Sequence, residues 1–300
     1  MKKVMAFLLS GLMSLSVCTT GFAAVPGDAV KEPANAGVNV YSPEFPNAYI
    51  ITERTGDSNG LTRSGENGID GVTATVFVEE NYNYDNGKRV VTESRLLSQA
   101  EVEAIGVENF DNLDTNNLTR SAGASRGKLK ITIDGSYTEP SGGINVKIKG
   151  NAAWSGFNTI YNSTDNPAVG KDFFGLAWSG GYTASQSSCS ATWNTGGSPT
   201  VYLSEAAPNA GRIYEFTEFA DAGGKYMIYV NNANLSTTLS KNVQTGGGNR
   251  AEIVLKYIHT YQATTGSISI SASASGVGAG FSLSNTPKQW SISCVASAPY

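Results

Sequence analysis

The chain has 300 residues, with 21 lysines and arginines against 25 acids, a formal charge of −4 and only 15% charged residues. That balance excludes the basic stripe needed to bind nucleic acid and the polybasic patch that holds proteins on anionic membranes. The 34 glycines and 10% aromatic residues point instead to short strands joined by tight turns, because glycine reaches the positive φ that turns demand.

The first 24 residues read as an export signal. Lys2 and Lys3 supply the positive start, Val4 to Val17 is an uncharged apolar stretch, and Gly21-Phe22-Ala23-Ala24 offers small residues for cleavage. The stretch is too short for a spanning helix, and no second one follows, so no transmembrane helix is expected. Leu15-Ser16-Val17-Cys18 has the spacing of a lipobox, but Val17 stands where a small residue is needed. Secretion to the extracellular space is therefore expected, with lipid attachment through Cys18 the lesser alternative. Removing 24 of 300 residues leaves 276, and losing Lys2 and Lys3 leaves 19 cations against 25 acids, a charge of −6.

Residues 25–70 are poor in periodic apolar positions and carry Pro26, Pro33, Pro43 and Pro46, then Gly56, Gly60, Gly65 and Gly68, the pattern of a flexible leader. Residues 71–125 read as a small hairpin, a short helix and a linker. Val72, Ala74, Val76 and Val78 alternate; Asp85-Asn86-Gly87 marks a turn, and Arg89 to Arg95 returns. Ser98 and Glu101 form an S-x-x-E capping box, and Gly106 ends the helix.

Residues 126–300 are dense in strands. Leu129, Ile131 and Ile133 share a face, as do Ile144, Val146 and Ile148; Phe174, Leu176 and Trp178 follow. Ile253, Leu255, Tyr257, His259 and Tyr261 lie on one side of the longest run. The fold class expected is mainly β, an antiparallel β-sandwich of Ig-like or jelly-roll-like type. Apolar positions are even over Gly266–Ser275 and odd over Gly276–Ser284. That phase change predicts a two-residue turn pairing Ile270 with Phe281 and Ile268 with Leu283.

After cleavage, Cys189 and Cys294 are the two remaining cysteines. Trp193 lies four after the first and Trp290 four before the second, so an antiparallel pairing that opposes the cysteines also opposes the tryptophans. A disulfide is expected, closing a loop of about 100 residues and stabilising by roughly 4–5 kcal/mol.

His259 is the only histidine, so neither a Ser-His-Asp arrangement nor a typical zinc site is expected, and it reads as a strand-face residue among tyrosines. Glu215 and Glu218 are three apart on a strand and point to opposite faces, so they cannot flank a glycosidic bond together. No enzyme activity, metal or cofactor is expected. Trp154, Trp178, Tyr161 and Tyr182 are the binding candidates, as an exposed aromatic platform in a segment rich in Asn, Ser and Thr.

Leu96-Leu97-Ser98-Gln99-Ala100-Glu101-Val102-Glu103-Ala104-Ile105-Gly106, continuing to Asn109-Phe110, resembles secreted β-rich proteins of anaerobic Gram-positive bacteria. So does Lys256-Tyr257-Ile258-His259-Thr260-Tyr261 followed by a serine-rich hairpin and Trp290. The resemblance covers about a quarter of the chain and brings no catalytic residues. It implies a secreted protein of a kind whose members include binders of host proteins such as immunoglobulins. The function expected is extracellular binding of a host or cell-surface protein or a glycan. The alternatives are a β-sandwich glycoside hydrolase and a pore-forming toxin that inserts the 266–284 hairpin.

Overall fold

A computed structural model describes residues 39–55, 67–85, 88–110, 123–140, 142–157, 170–221, 227–242, 250–261, 267–272, 279–284 and 288–299. The export signal, Cys18, Tyr161 and the turn residues Asn86, Gly87 and 273–278 lie outside them.

The strands in chain order are β1 (Asn39–Tyr41), β2 (Ile50–Thr55), β3 (Asn67–Gly68), β4 (Gly71–Asp85) and β5 (Lys88–Leu96). The helix α1 (Gln99–Ile105) and a 3₁₀ turn (Val107–Phe110) come next. Then follow β6 (Gly123–Thr138), β7 (Ile144–Ser155), β8 (Asp172–Trp178), β9 (Thr183–Trp193), β10 (Val201–Ala207), β11 (Gly211–Phe216) and β12 (Phe219–Asp221). The last are β13 (Met227–Lys241), β14 (Arg250–Thr260), β15 (Ile268–Ser271), β16 (Gly280–Leu283) and β17 (Gln289–Pro299).

The protein is mainly β, with two packed antiparallel sheets. One has six strands in the order β1-β17-β14-β8-β11-β10. The other has nine: β12-β13-β7-β6-β4-β2 form its path, with β3 on β6, β5 on β4 and β9 on β13. Successive side chains in a strand alternate between faces, so the alternating apolar rows supply the inner faces. Val72, Ala74, Val76, Leu129, Ile131, Ile133, Val146 and Ile148 from the larger sheet meet Phe174, Leu176, Trp178, Ile253, Leu255 and Ile292 from the smaller.

Two further clusters lie outside this core. Phe281 and Leu283 of β16 pack with Phe173, Ala177, Ile213 and Ile258 on the opposite face of the six-stranded sheet. The hairpin register agrees with the phase argument: Ile268 opposes Leu283 and Ile270 opposes Phe281. Val102 of α1 packs with Phe77, Leu97 and Phe110. Glu101 accepts hydrogen bonds from Ser98 N and Oγ at 2.8 and 2.7 Å, and Gly106, at φ 88°, donates its N–H to Val102 O.

Three expectations are corrected. β4 pairs with β6 from Val72–Ile133 to Tyr82–Gly123, so a boundary between 71–125 and 126–300 would cut through β6. The described residues, from Asn39 on, belong to one compact unit, and β1, β2 and β3 fall inside the stretch read as leader. The reason is that β4 and β5 carry one apolar face each and can bury it only against the rest of the sandwich.

The disulfide is likewise not formed, and both cysteines are free. Cys189 opposes Leu235 in the nine-stranded sheet, whereas Cys294 opposes Leu255 and Val40 in the six-stranded one. The register argument required neighbouring strands, and these belong to different sheets. Trp193 opposes Val230 and Trp290 opposes His259. Burial pushes the Cys189 thiol up to about 12 and raises Cys294 as well.

Candidate functional site: a buried carboxylate–histidine cluster

The expected aromatic platform is corrected too: Trp154, Trp178 and Tyr182 are inside the sandwich, 5%, 0% and 0% exposed. Trp154 and Trp178 sit on inward rows, Tyr182 lies just before β9, and each has a partner for its polar atom. Trp154 Nε1 donates to Tyr257 Oη at 2.9 Å, Trp178 Nε1 to Tyr182 O at 3.0 Å, and the Tyr182 hydroxyl to Pro299 O. Tyr161 lies outside the described residues.

What Trp154 covers is the chemically unusual part of the molecule. Four titratable side chains from both sheets meet in the core. Val78 and Glu80 share a face of β4, as do Asp172 and Phe174 on β8 and Tyr257 and His259 on β14. Glu218 lies two residues beyond Phe216, the last residue of β11. In each case the inward apolar row continues by one step into a polar group. β8 lies between β11 and β14, so Asp172 falls opposite Phe216 and one step past the Ile258–Phe173 pair.

His259 is fully buried, and its two ring nitrogens face different acids. Nε2 is 3.2 Å from Glu80 Oε1; Nδ1 is 3.2 Å from Asp172 Oδ1 and 3.0 Å from Glu218 Oε2. Asp172 is held further by Tyr257 Oη, donating to Oδ2 at 2.5 Å, and by Thr260 N, donating to Oδ1 at 3.0 Å. Trp290 and Trp154 enclose the imidazole at centroid distances of 5.0 and 5.7 Å, and Tyr261 stacks on it at 6.1 Å. Trp290 Nε1 is fixed by Ser94 Oγ at 2.9 Å.

The charges do not balance within this group: three carboxylates surround one imidazole. Nδ1 carries at most one proton but faces two acids, and although Glu218 Oε2 is close to it, that oxygen makes no hydrogen bond. Burial, and next the Asp172 charge, push the Glu218 carboxyl up to about 8, against the pull of His259. Burial opposes charging His259, but Glu218 and Asp172 outweigh it and hold the imidazole well above its ordinary value. Burial and the neighbouring Asp172 raise the Tyr257 hydroxyl.

Sequence reasoning placed His259 on a strand face with tyrosines but did not join it to the acids. The available signal was parity: Glu80, Asp172 and Glu218 each fall two residues from an inward apolar side chain. Glu215 and Glu218 do diverge, Glu215 pairing with Lys171 outside and Glu218 entering the core. Among the described residues, Asp172, Glu218 and His259 are the group of metal-ligating side chains gathered in one place, with one donor atom of each within 4.8 Å of the others. Comparison with known proteins adds no relative, since neither a family model nor a curated protein matches the chain.

Proposed function

We propose that the chain is an exported binding protein whose contact surface is the edge strand β10, and that its ligand is an extended segment of a host or cell-surface protein. The observation that carries this is the pair Tyr202 and Leu203, 57% and 53% exposed, the two most exposed large apolar residues among those described. They are adjacent on the terminal strand of the six-stranded sheet. Tyr202 opposes Glu215 and Leu203 opposes Tyr214, so they straddle the edge, one toward each face of the sheet. An added strand would use the backbone groups of β10 for affinity and meet an apolar anchor on each side. Lys171, over the Tyr202 ring at 5.9 Å, adds a cation beside the anchor.

Export is the reading of residues 1–24 and carries the word extracellular. For the hydrolase alternative the buried pair Asp172 and Glu218, 0% and 5% exposed, is closed to a sugar, so a catalytic pair would have to come from other carboxylates. The pore alternative would have to release Phe281 and Leu283 from the sheet they cover.

The test is capture from host serum and mucus on the immobilised protein and on the double variant Tyr202→Ser, Leu203→Lys. A protein ligand retained by the wild type and lost from the folded variant supports the reading. Equal capture by both moves the surface elsewhere. Binding to a glycan array, or hydrolysis of a polysaccharide without any protein ligand, overturns it.

A further inference from the structure

We propose that Asp172, Glu218 and His259 bind one divalent transition-metal ion of the zinc class as a buried centre that ties β8 and β14 to the β11–β12 connection, with Glu80 of the other sheet as the outer neighbour of the histidine. The proposal is independent of the binding surface on β10.

The donor geometry comes first. Zinc bonds to imidazole nitrogen and carboxylate oxygen are about 2.0–2.2 Å, which places tetrahedral donor atoms roughly 3.3 Å apart. His259 Nδ1 lies 3.2 Å from Asp172 Oδ1 and 3.0 Å from Glu218 Oε2. The second observation is independent of spacing. Glu218, with a side chain only 7% exposed, turns an oxygen into the cluster that makes no hydrogen bond. Among the described residues the His259 ring, 3.0 Å away, is the one cationic partner this oxygen has, and Asp172 shares it, so a dication between the three would meet both carboxylates at once.

The surroundings match what ligand residues need. A metal-bound histidine usually donates its other ring N–H to a carboxylate, fixing tautomer and ring orientation. With Nδ1 on the ion, His259 Nε2 is the protonated nitrogen; Glu80 Oε1 lies 3.2 Å from it, within pairing distance although the two atoms make no hydrogen bond in this arrangement. Asp172 is oriented by Tyr257 Oη and Thr260 N, which leaves each of its oxygens a lone pair. A dication on neutral imidazole and two carboxylates is neutral, and the one negative charge that is left stays on Glu80, beside His259 Nε2. One nitrogen with two oxygens suits zinc or manganese better than calcium, which takes six to eight oxygens. Because His259 and Asp172 are fully buried, the ion would be acquired during folding and exchange slowly afterwards.

The experiment is refolding of the full chain from denaturant and chelator, with Zn²⁺, Mn²⁺, Ca²⁺ or no metal. Bound metal is then measured by mass spectrometry, alongside Tm. Zinc retained at one equivalent per chain, with Tm raised by roughly 5–10 °C at free zinc 100-fold above Kd, supports the site. Calcium should leave Tm unchanged. Glu218→Gln and Asp172→Asn should lose both the equivalent and the shift. His259→Asn is the harsher change and need not fold, so the two neutral isosteres decide. Refolding to the same Tm with no bound metal overturns the proposal, as does zinc retained undiminished by both variants. Cobalt in place of zinc gives a further check: a thiolate charge-transfer band would place the metal at a cysteine and overturn the assignment.

Discussion

Consecutive residues of β4 enter two acidic clusters of opposite character. Glu79 faces out and is met by two arginines, Arg95 at 2.9 Å and Arg126 at 2.8 Å, with Glu101 on the far side of Arg95 at 2.6 Å. Glu80 faces in and meets His259, which two other acids also claim. The outer cluster has two acids and two permanent cations; Glu79 is largely covered at 10% exposure, but Arg95, Arg126 and Glu101 reach water at 28%, 40% and 40%, so the cluster is balanced and partly screened. The inner one has three acids and a single titratable base in the core. The pleat alone separates them, and the surrounding dielectric decides what each is worth.

The largest expected effect is at the centre of the inner cluster. His259→Leu removes the only base and leaves buried carboxylates uncompensated, for a loss of about 3–5 kcal/mol in denaturant unfolding. A loss under 1 kcal/mol would show that the acids are already neutral without the imidazole. Tyr257→Phe comes next. It deletes the donor to Asp172 Oδ2 and the acceptor of Trp154 Nε1, which costs about 1–3 kcal/mol by the same measurement. On the outer face, Glu79→Gln should cost about 1 kcal/mol or less and shrink further in high salt. A cost equal to that of Tyr257→Phe would erase the contrast between the two faces.

The smallest effect is at Glu101. Hydrogen bonds from the Ser98 backbone and then from Arg95 lower its carboxyl to about 2, from an ordinary value of 4.5. A depressed carboxylate contributes stability above the unfolded value and loses it as pH falls through the folded one. The gap between wild type and Glu101→Gln should therefore be present at pH 6 and narrow between about 4.5 and 2. Because this carboxylate is 40% exposed, screening keeps the gap to about half a kcal/mol.

Much of the fold was legible because alternation is local. The rows Val72–Val78, Leu129–Ile133 and Ile253–His259 showed their inward faces directly, and the Ile270–Phe281 pairing followed from a phase change alone. What alternation cannot show is which strands become neighbours. The Cys189–Cys294 bridge failed there, since its arithmetic was sound only for adjacent strands of one sheet. The aromatic candidates failed for a related reason: a tryptophan in a polar segment reads the same whether its row faces solvent or core. The cluster lay between these cases. Asp172 has the parity of Phe174 and Glu80 that of Val78, but the sequence reading took neither up, because a charge ending an apolar row reads as the row leaving the core. Only the packing of two sheets shows that the four rows end at the same point.

The pairing of β1 with β17 sets when the molecule can finish folding. Among the described residues Asn39–Tyr41 pairs with Ser293–Val295, and Glu44 accepts from Ser291 N and Oγ at 3.0 and 3.2 Å. The start of the described chain is therefore completed by nearly its last residues. A growing chain must hold residues 39–41 open until residues 293–295 have emerged, and the order of closure is set by the sheet rather than by the order of synthesis.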